Sequence, residues 1–388
     1  MSAEQETQMP LVARSAEGIL AGVWGGPVDV GGVTPLTSPE RKNLVLRCHL
    51  AEAPTSAPAT VIVKQAGRRG YDPDDPASPA WLLFNEWAGS AFVSRLPGDR
   101  PGGPHVYGGD REAGILVLED VAGDSLAALL SGADPVRAEA ALERLARRLG
   151  ELHAATSGRR AEYAALRAAL GPDPRPPTEE KVQFLHQAIT DGPAALATVG
   201  ITVDQRFVKA LQAVAASLAE PGPFLAYTHG DPCPENCYDD GSTLRLIDFE
   251  FGGFRHALLD GVNWHMAFPT SPNSQQLSAA LADRLETAYR QALLMGCPEA
   301  GDEAHFRRAV LDGCAYWTFN WLRRPLGEAR PRLRRRIVTR TRTFARLAAV
   351  STSHHPLADV ALRIADAIVQ RWPEEADGVP AAPALARD

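Results

Sequence analysis

The chain carries the stretch Tyr227-Thr-His-Gly-Asp231-Pro-Cys-Pro-Glu-Asn236-Cys-Tyr-Asp-Asp240-Gly-Ser-Thr-Leu-Arg-Leu-Ile-Asp248-Phe-Glu250. Asp231 and Asn236 stand on either side of a segment broken by Pro232 and Pro234. Asp248 ends the short run Leu244 to Ile247, beyond an Asp240-Gly241 turn signal. A hairpin centred near Ser242 would leave Asn236 and Asp248 about equally far from its turn, with their backbones side by side.

Hard cations such as Mg²⁺ take oxygen ligands, and one carboxylate beside one amide oxygen can hold a cation already bound to ATP. Asn236 and Asp248 form such a pair. Asp231, five residues before Asn236, could then orient a hydroxyl and accept its proton as the oxygen attacks phosphorus. Asp is also common in turns and caps, which is the plainer account of Asp231 and Asp248 taken singly. His229, Cys233 and Cys237 are spaced by fours and could bind zinc in isolation, but no second ligand pair accompanies them and a catalytic loop accounts for all three.

His229-Gly230-Asp231 with Asn236, followed by Ile247-Asp248-Phe249-Glu250, resembles the paired motif of the aminoglycoside phosphotransferase and choline kinase family, small-molecule relatives of the protein kinases. The resemblance spans about residues 30 to 325. It implies a bilobal, protein-kinase-like α+β fold. An N-lobe antiparallel sheet with one helix is expected over residues 1–118, an interlobe linker over 119–124, and a mostly helical C-lobe with the catalytic hairpin and acceptor site over 125–372. It also implies ATP and Mg²⁺ as cofactors, Asp231 as the catalytic residue, Asn236 and Asp248 as metal ligands, and His229 as structural support.

Upstream, Val33 to Leu36, Leu44 to Leu50 and Ala59 to Lys64 alternate or run apolar and predict a three-stranded antiparallel meander. A short helix over Leu11 to Val23 precedes it. Lys64 finishes the run Thr60-Val61-Ile62-Val63, so its ammonium must reach water or find anions. The chain holds 40 lysines and arginines, and only Lys42, Lys64, Lys181 and Lys209 are lysines, which makes each one informative. In the family the corresponding lysine contacts the α- and β-phosphates and pairs with a helix glutamate. Trp81 to Leu96 has helical spacing and carries Glu86, the expected partner. The loop Leu36 to Asn43 departs from the family, because it lacks the glycines that let backbone amides approach phosphate. Ser38, Asn43, Arg41 and Lys42 are the candidates to replace them, and a plain hairpin turn is the alternative. His105 to Tyr107 and Ile115 to Val121 read as two more strands, the second central. The resemblance places adenine against the backbone of Glu119 to Val121.

Asp124-Ser125 offers an N-cap for a helix through Leu130. Pro135 to Ala155, Glu179 to Ile189, Asp204 to Leu218, Asp302 to Trp321, Leu333 to Val350 and Leu357 to Trp372 carry helical patterns. Asp260 is expected either to brace the catalytic loop by accepting backbone hydrogen bonds or to cap the following helix. Only Phe251 to Leu259 separate the metal loop from Asp260, which leaves no room for a peptide-docking activation segment. Pro373 to Asp388 reads as a disordered tail.

Composition sets the remaining bounds. The sequence has 388 residues, 45% of them hydrophobic, and a net charge of −7, which disfavours nucleic acid as partner. The polar, acidic first ten residues resemble no signal peptide and no run is long enough to span a bilayer, so a cytoplasmic location away from membranes is expected. Five scattered cysteines read as thiols. The expected activity is transfer of the ATP γ-phosphoryl group to a hydroxyl of a small molecule such as an antibiotic, sugar or amino alcohol. A non-catalytic nucleotide-binding regulator and an AMP transferase on the same fold are the alternatives. Residues 301–350 hold twelve arginines against Asp302, Glu303, Asp312 and Glu328, which favours a neutral or anionic acceptor over a polycation. Trp264, Trp317 and Trp321 are candidate stacking surfaces for it.

Overall fold

The structure is a computed structural model that describes residues 3–37, 43–67, 70–96, 102–173 and 177–386, with side chains described from residue 7 and, in the last segment, from residue 182. The chain forms two compact units. One comprises Met1–Ala122, Ala161–Pro174 and Arg245–Gly252; the other comprises Gly123–Arg160, Arg175–Leu244 and Gly253–Asp388.

The first unit contains helix α1 (Ala3–Trp24), strands β1 (Asp29–Pro35), β2 (Leu44–Glu52) and β3 (Thr60–Gln65), helix α2 (Ala80–Val93), and strands β4 (Val106–Asp110) and β5 (Ile115–Glu119). The strands pair antiparallel in the order β1-β2-β3-β5-β4, so the expected meander β1-β2-β3 is present. Side chains in a strand alternate between faces, and the sequence uses both. Leu44, Leu46, Cys48, Val61, Val63, Ile115 and Val117 pack with Val12, Ala16 and Leu20, the seam of α1. Leu116 and Leu118 pack on the other face with Ala66 and Leu83, the latter from α2. β5 is therefore buried on both faces, as its unbroken apolar run requires. Alternation puts Lys64 on the α2 face together with Ile62. The N-terminal helix is longer than Leu11 to Val23.

The second unit is mostly helical: Leu126–Ser131, Pro135–Thr156, Pro177–Ala197, Gln205–Ala219, Leu258–Gly261, Ala279–Leu293, Glu303–Phe319, Pro331–Ala348 and His355–Arg371. Caps set several starts. Ser125 Oγ accepts from Ala128 N at 3.2 Å, Asp134 Oδ1 from Arg137 N at 3.0 Å, and Asp204 Oδ1 from Arg206 N at 2.9 Å. Helix Pro135–Thr156 buries Ala138, Leu142, Leu145, Leu149 and Leu152 along one stripe. Short antiparallel pairs join Leu225–Thr228 to Gly253–His256 and Asp124–Ser125 to Cys237–Asp239.

Residues 373–386, expected from sequence to be a disordered tail, carry short 3₁₀ turns at Pro373–Glu375 and Pro383–Leu385 and contacts to the rest of the second unit. Glu375, 1% exposed, accepts hydrogen bonds from Arg335 Nε at 2.5 Å and Arg334 Nη2 at 3.4 Å, and Gln276 N donates to Pro380 O at 2.8 Å. One buried carboxylate gripped by two guanidiniums fixes a segment whose own pattern has no periodicity. Among the described residues no helix is long and apolar enough to cross a membrane.

Candidate active site

In the first unit, Lys64 Nζ lies 2.7 Å from Asp248 Oδ1 and 3.1 Å from Glu86 Oε1, so residues 184 apart in sequence share one cation. β3 delivers the lysine, α2 delivers Glu86, and the turn after Ile247 delivers Asp248. Burial opposes the charge on Lys64, but the two carboxylates outweigh it and hold the ammonium above its ordinary range. The trio carries two anions and one cation. The carboxyl of Glu86, 2% exposed, is pushed up to about 7 by burial, with Lys64 opposing that rise and Asp248 adding to it. Asp248 adopts φ 70°, ψ 61°, the left-handed region that a residue with a Cβ rarely occupies.

The loop in the second unit is built around Asp260. That side chain, 1% exposed, accepts from His229 N at 2.7 Å and Gly230 N at 3.3 Å through Oδ2. Burial works against its charge, but His153 and His229 nearby and the Gly230 amide hold its pKa below the usual carboxylate range. Gly230 has φ 82°, a conformation glycine takes without strain. Asp231 N donates to His229 Nδ1 at 3.3 Å, and Asn236 Nδ2 donates to Asp231 O at 3.0 Å and Oδ2 at 3.4 Å. With its nitrogen engaged on Asp231, the Asn236 amide has its oxygen left for a cation. Arg144 binds Asp239 by two bonds of 2.6 and 2.8 Å, anchoring the strand that follows Asn236. The Asp240-Gly241 turn forms, with Asp240 Oδ1 accepting from Ser242 N at 2.8 Å and Thr243 N at 2.7 Å.

The other expected residues fall out unevenly. Asn43 Oδ1 accepts from Gly67 N at 3.1 Å, which ties the loop before β2 to the end of β3. Ser38 lies outside the described residues. Glu119 N donates to His105 O at 2.9 Å, so that amide is already used, and Val121 is buried. Trp264, Trp317 and Trp321 are 2%, 6% and 9% exposed, and Trp317 Nε1 donates to Leu259 O at 2.8 Å. They are core side chains and not free stacking surfaces; Trp317 sits in a helix whose residues 309–319 are all buried.

Two bracing contacts escape a reading of local pattern. Arg245 binds Glu119, with Nη2 to Oε2 at 2.7 Å, and also donates to Gly103 O. Asp120 accepts from Arg47 Nε at 2.6 Å, Arg47 Nη2 at 3.0 Å and Thr60 Oγ1 at 2.8 Å, which pins the end of β5 to β2 and β3. An excess of arginine in the composition hides such partners, since no single arginine stands out.

Known proteins add to this geometry. A family model described as the phosphotransferase enzyme family, APH, matches residues 95–295, which include Asp231, Asn236, Asp248 and Asp260 and cover more than half of the chain. No curated protein matches the sequence. Among solved structures, a choline/ethanolamine kinase family protein from Mesorhizobium loti is 18% identical over 97% of this chain and 100% of that one, with a TM-score of 0.40. A choline kinase from Cryptosporidium parvum is 13% identical over 88% and 93%, with a TM-score of 0.47. A streptomycin–ATP ternary complex of APH(2'')-IIa is 12% identical over 92% and 98%, with a TM-score of 0.49. With the Asp231 and Asp248 motifs inside a matched span that covers more than half of it, this α+β chain belongs to the phosphotransferase enzyme family, APH.

Proposed function

We propose that the protein transfers the γ-phosphoryl group of ATP to a hydroxyl of a small molecule, with Mg²⁺ bound alongside the nucleotide. The observation that carries this reading is the trio Lys64, Glu86 and Asp248. A structural ion pair would need one carboxylate for one ammonium; here a second carboxylate, on a strained and partly exposed backbone, faces the same cation. Lys64, steadied by Glu86, is the group for the phosphates, and Asp248 for the cation. The donor set of Asp248 and the Asn236 oxygen suits a hard cation such as Mg²⁺. Among the described residues no group of three or more His, Cys, Asp or Glu could hold a metal by itself, which suits an ion that takes its remaining ligands from phosphate and water. Bound Mg²⁺ would neutralise charge on the transferred group.

Within this reading Asp231 orients the acceptor hydroxyl and takes its proton. Asp260 acts through the backbone of His229 and Gly230 to fix that carboxylate, and His229 supports it by accepting from Asp231 N. The backbone of Glu119 to Val121, in the 119–124 linker, is the adenine contact, and Asn43 shapes the phosphate-side loop. Residues 1–118 together with Asp248 serve the nucleotide, and the rest of 125–372 serves the acceptor. Intact-mass measurement of products from a panel of hydroxylated metabolites incubated with Mg-ATP tests it. A gain of one phosphoryl group is expected. A gain of AMP, or nucleotide binding without any product across the panel, would contradict it.

A further inference from the structure

Helix Pro331–Ala348 carries Arg332, Arg336 and Arg340 four residues apart, so all three lie on one face. Their exposure falls along that face: Arg332 is exposed, Arg336 is half-buried and Arg340 is 5% exposed. Arg340 donates from Nε to Met266 O at 3.2 Å and from Nη2 to Pro269 O at 3.0 Å. Arg336 Nη2 donates to Ser271 O and, at 3.3 Å, to Pro272 O, while its Nε is buried without a hydrogen-bond partner. Among the described residues no carboxylate lies within ion-pair distance of any of the three. By contrast Arg334 and Arg335, on the same helix, share Glu375.

Carbonyl oxygens satisfy donors but do not neutralise charge. Stacked like charges at this spacing repel, and a buried cation without a counter-ion is costly. Burial pushes the Arg340 guanidinium down to about 9, and neighbouring Arg336 pushes the same way. The segment they grip is strained, with φ 54° at Ala267 and 48° at Phe268, and it reaches the catalytic loop. Ser271 Oγ donates to Glu235 Oε1 at 3.0 Å and Asn273 Nδ2 to the same oxygen at 3.3 Å, and Glu235 adjoins Asn236. Glu235 is the acidic group that bears on Arg336, one negative charge against three positive.

We propose that the Arg332–Arg336–Arg340 stripe is a subsite for an oxyanion carried by the acceptor, which makes the substrate a hydroxyl compound bearing a carboxylate or a phosphate. The proposal rests on the phosphotransferase reading for the word acceptor, but the anion site itself can be read without turnover. A bound oxyanion would supply the counter-charge that the stripe lacks in the free protein, and the contact from Ser271 to Glu235 ties the stripe to the loop of Asp231.

The first test is thermal unfolding of the full chain against sulfate, at ionic strength held constant with chloride. Wild type is expected to show a saturable rise in Tm. Arg336→Gln is expected to weaken the apparent sulfate affinity at least about tenfold, the scale of one lost charge-assisted hydrogen bond, while Arg206→Gln, on another helix, leaves it unchanged. Arg336→Lys, which keeps the charge, should recover part of it. The second test is kcat/KM with Mg-ATP for hydroxy-carboxylates, sugar phosphates and uncharged polyols. One anionic class should exceed the uncharged class at least about tenfold, and Arg336→Gln should erase that preference. Whichever anionic class wins identifies the oxyanion. A sulfate response that is absent, or equal in Arg336→Gln, overturns the site, as does preference for uncharged acceptors. Sulfate binding lost in Arg336→Gln with no phosphorylation of any compound would support the anion site and contradict phosphoryl transfer.

Discussion

Asp248 is held at φ 70° by groups that reach it from elsewhere in the first unit, and a left-handed non-glycine residue costs about 1–2 kcal/mol. Lys64 at 2.7 Å is one such group, so the strain and the ion pair belong together. Asp248→Ala is expected to abolish the Mg²⁺-dependent part of the thermal stabilisation that ATP gives, because nucleotide and cation bind as a unit. An unchanged shift with Mg-ATP would place cation binding elsewhere. His256 offers a separate residue-scale test. It is buried, stacked on Phe224 at 5.4 Å, and its Nδ1 accepts from Leu258 N at 3.2 Å, which requires an unprotonated nitrogen. Burial pushes its pKa from 6.5 down to about 4, with Asp312 opposing and His153 and His305 adding. Above 6.5 both folded and unfolded states leave this ring neutral. As pH falls towards 4 the unfolded chain takes up a proton that the folded chain refuses, and stability drops by up to about 3 kcal/mol. Urea unfolding between pH 7 and about 4.5 should therefore show a shallower loss in His256→Asn than in wild type, and equal slopes would contradict the assignment.

Helix Pro135–Thr156 contains Gly150, where interior glycine should lose about 1 kcal/mol to alanine on helix propensity alone. A Cβ there would meet Tyr289 O at 2.5 Å and Ala292 Cβ at 2.7 Å, on the facing helix Ala279–Leu293. Overpacking costs about 1–3 kcal/mol and backbone oxygen cannot rotate away, so steric cost exceeds propensity gain. Gly150→Ala is expected to lower the urea midpoint, and a raised midpoint would show that the two helices can part. Elements of this kind were legible where one periodicity held. The continuous apolar run of β5, the alternation in β2 and β3 and the stripe of helix Pro135–Thr156 all point to the observed burial. Residues 373–386 were not legible, because their order comes from Glu375 meeting Arg334 and Arg335 some 40 residues away and not from any local pattern.

Across the whole molecule, the site residues that sequence brought forward are those whose chemistry is scarce. Lys64 is one of four lysines, and Asp231, Asn236 and Asp248 sit in a short ordered motif. The residues it passed over, Arg245, Arg144, Arg47 and the stripe on helix Pro331–Ala348, are drawn from the most abundant charged type, and their partners lie far off in sequence. For Asp260, sequence left a brace and a cap equally open; the 2.7 Å bond from His229 N favours the brace. In the loop before β2 no glycine is present, and Asn43 spends its oxygen on Gly67 N. The role we propose for Asp231 is to take the proton of the attacking hydroxyl during phosphoryl transfer. Its most direct test is single-turnover phosphorylation of the best acceptor by wild type and Asp231→Asn, with Mg-ATP affinity measured on both proteins. A fall in rate of at least about 10²-fold with nucleotide affinity nearly unchanged is expected; a wild-type rate in Asp231→Asn would contradict that role.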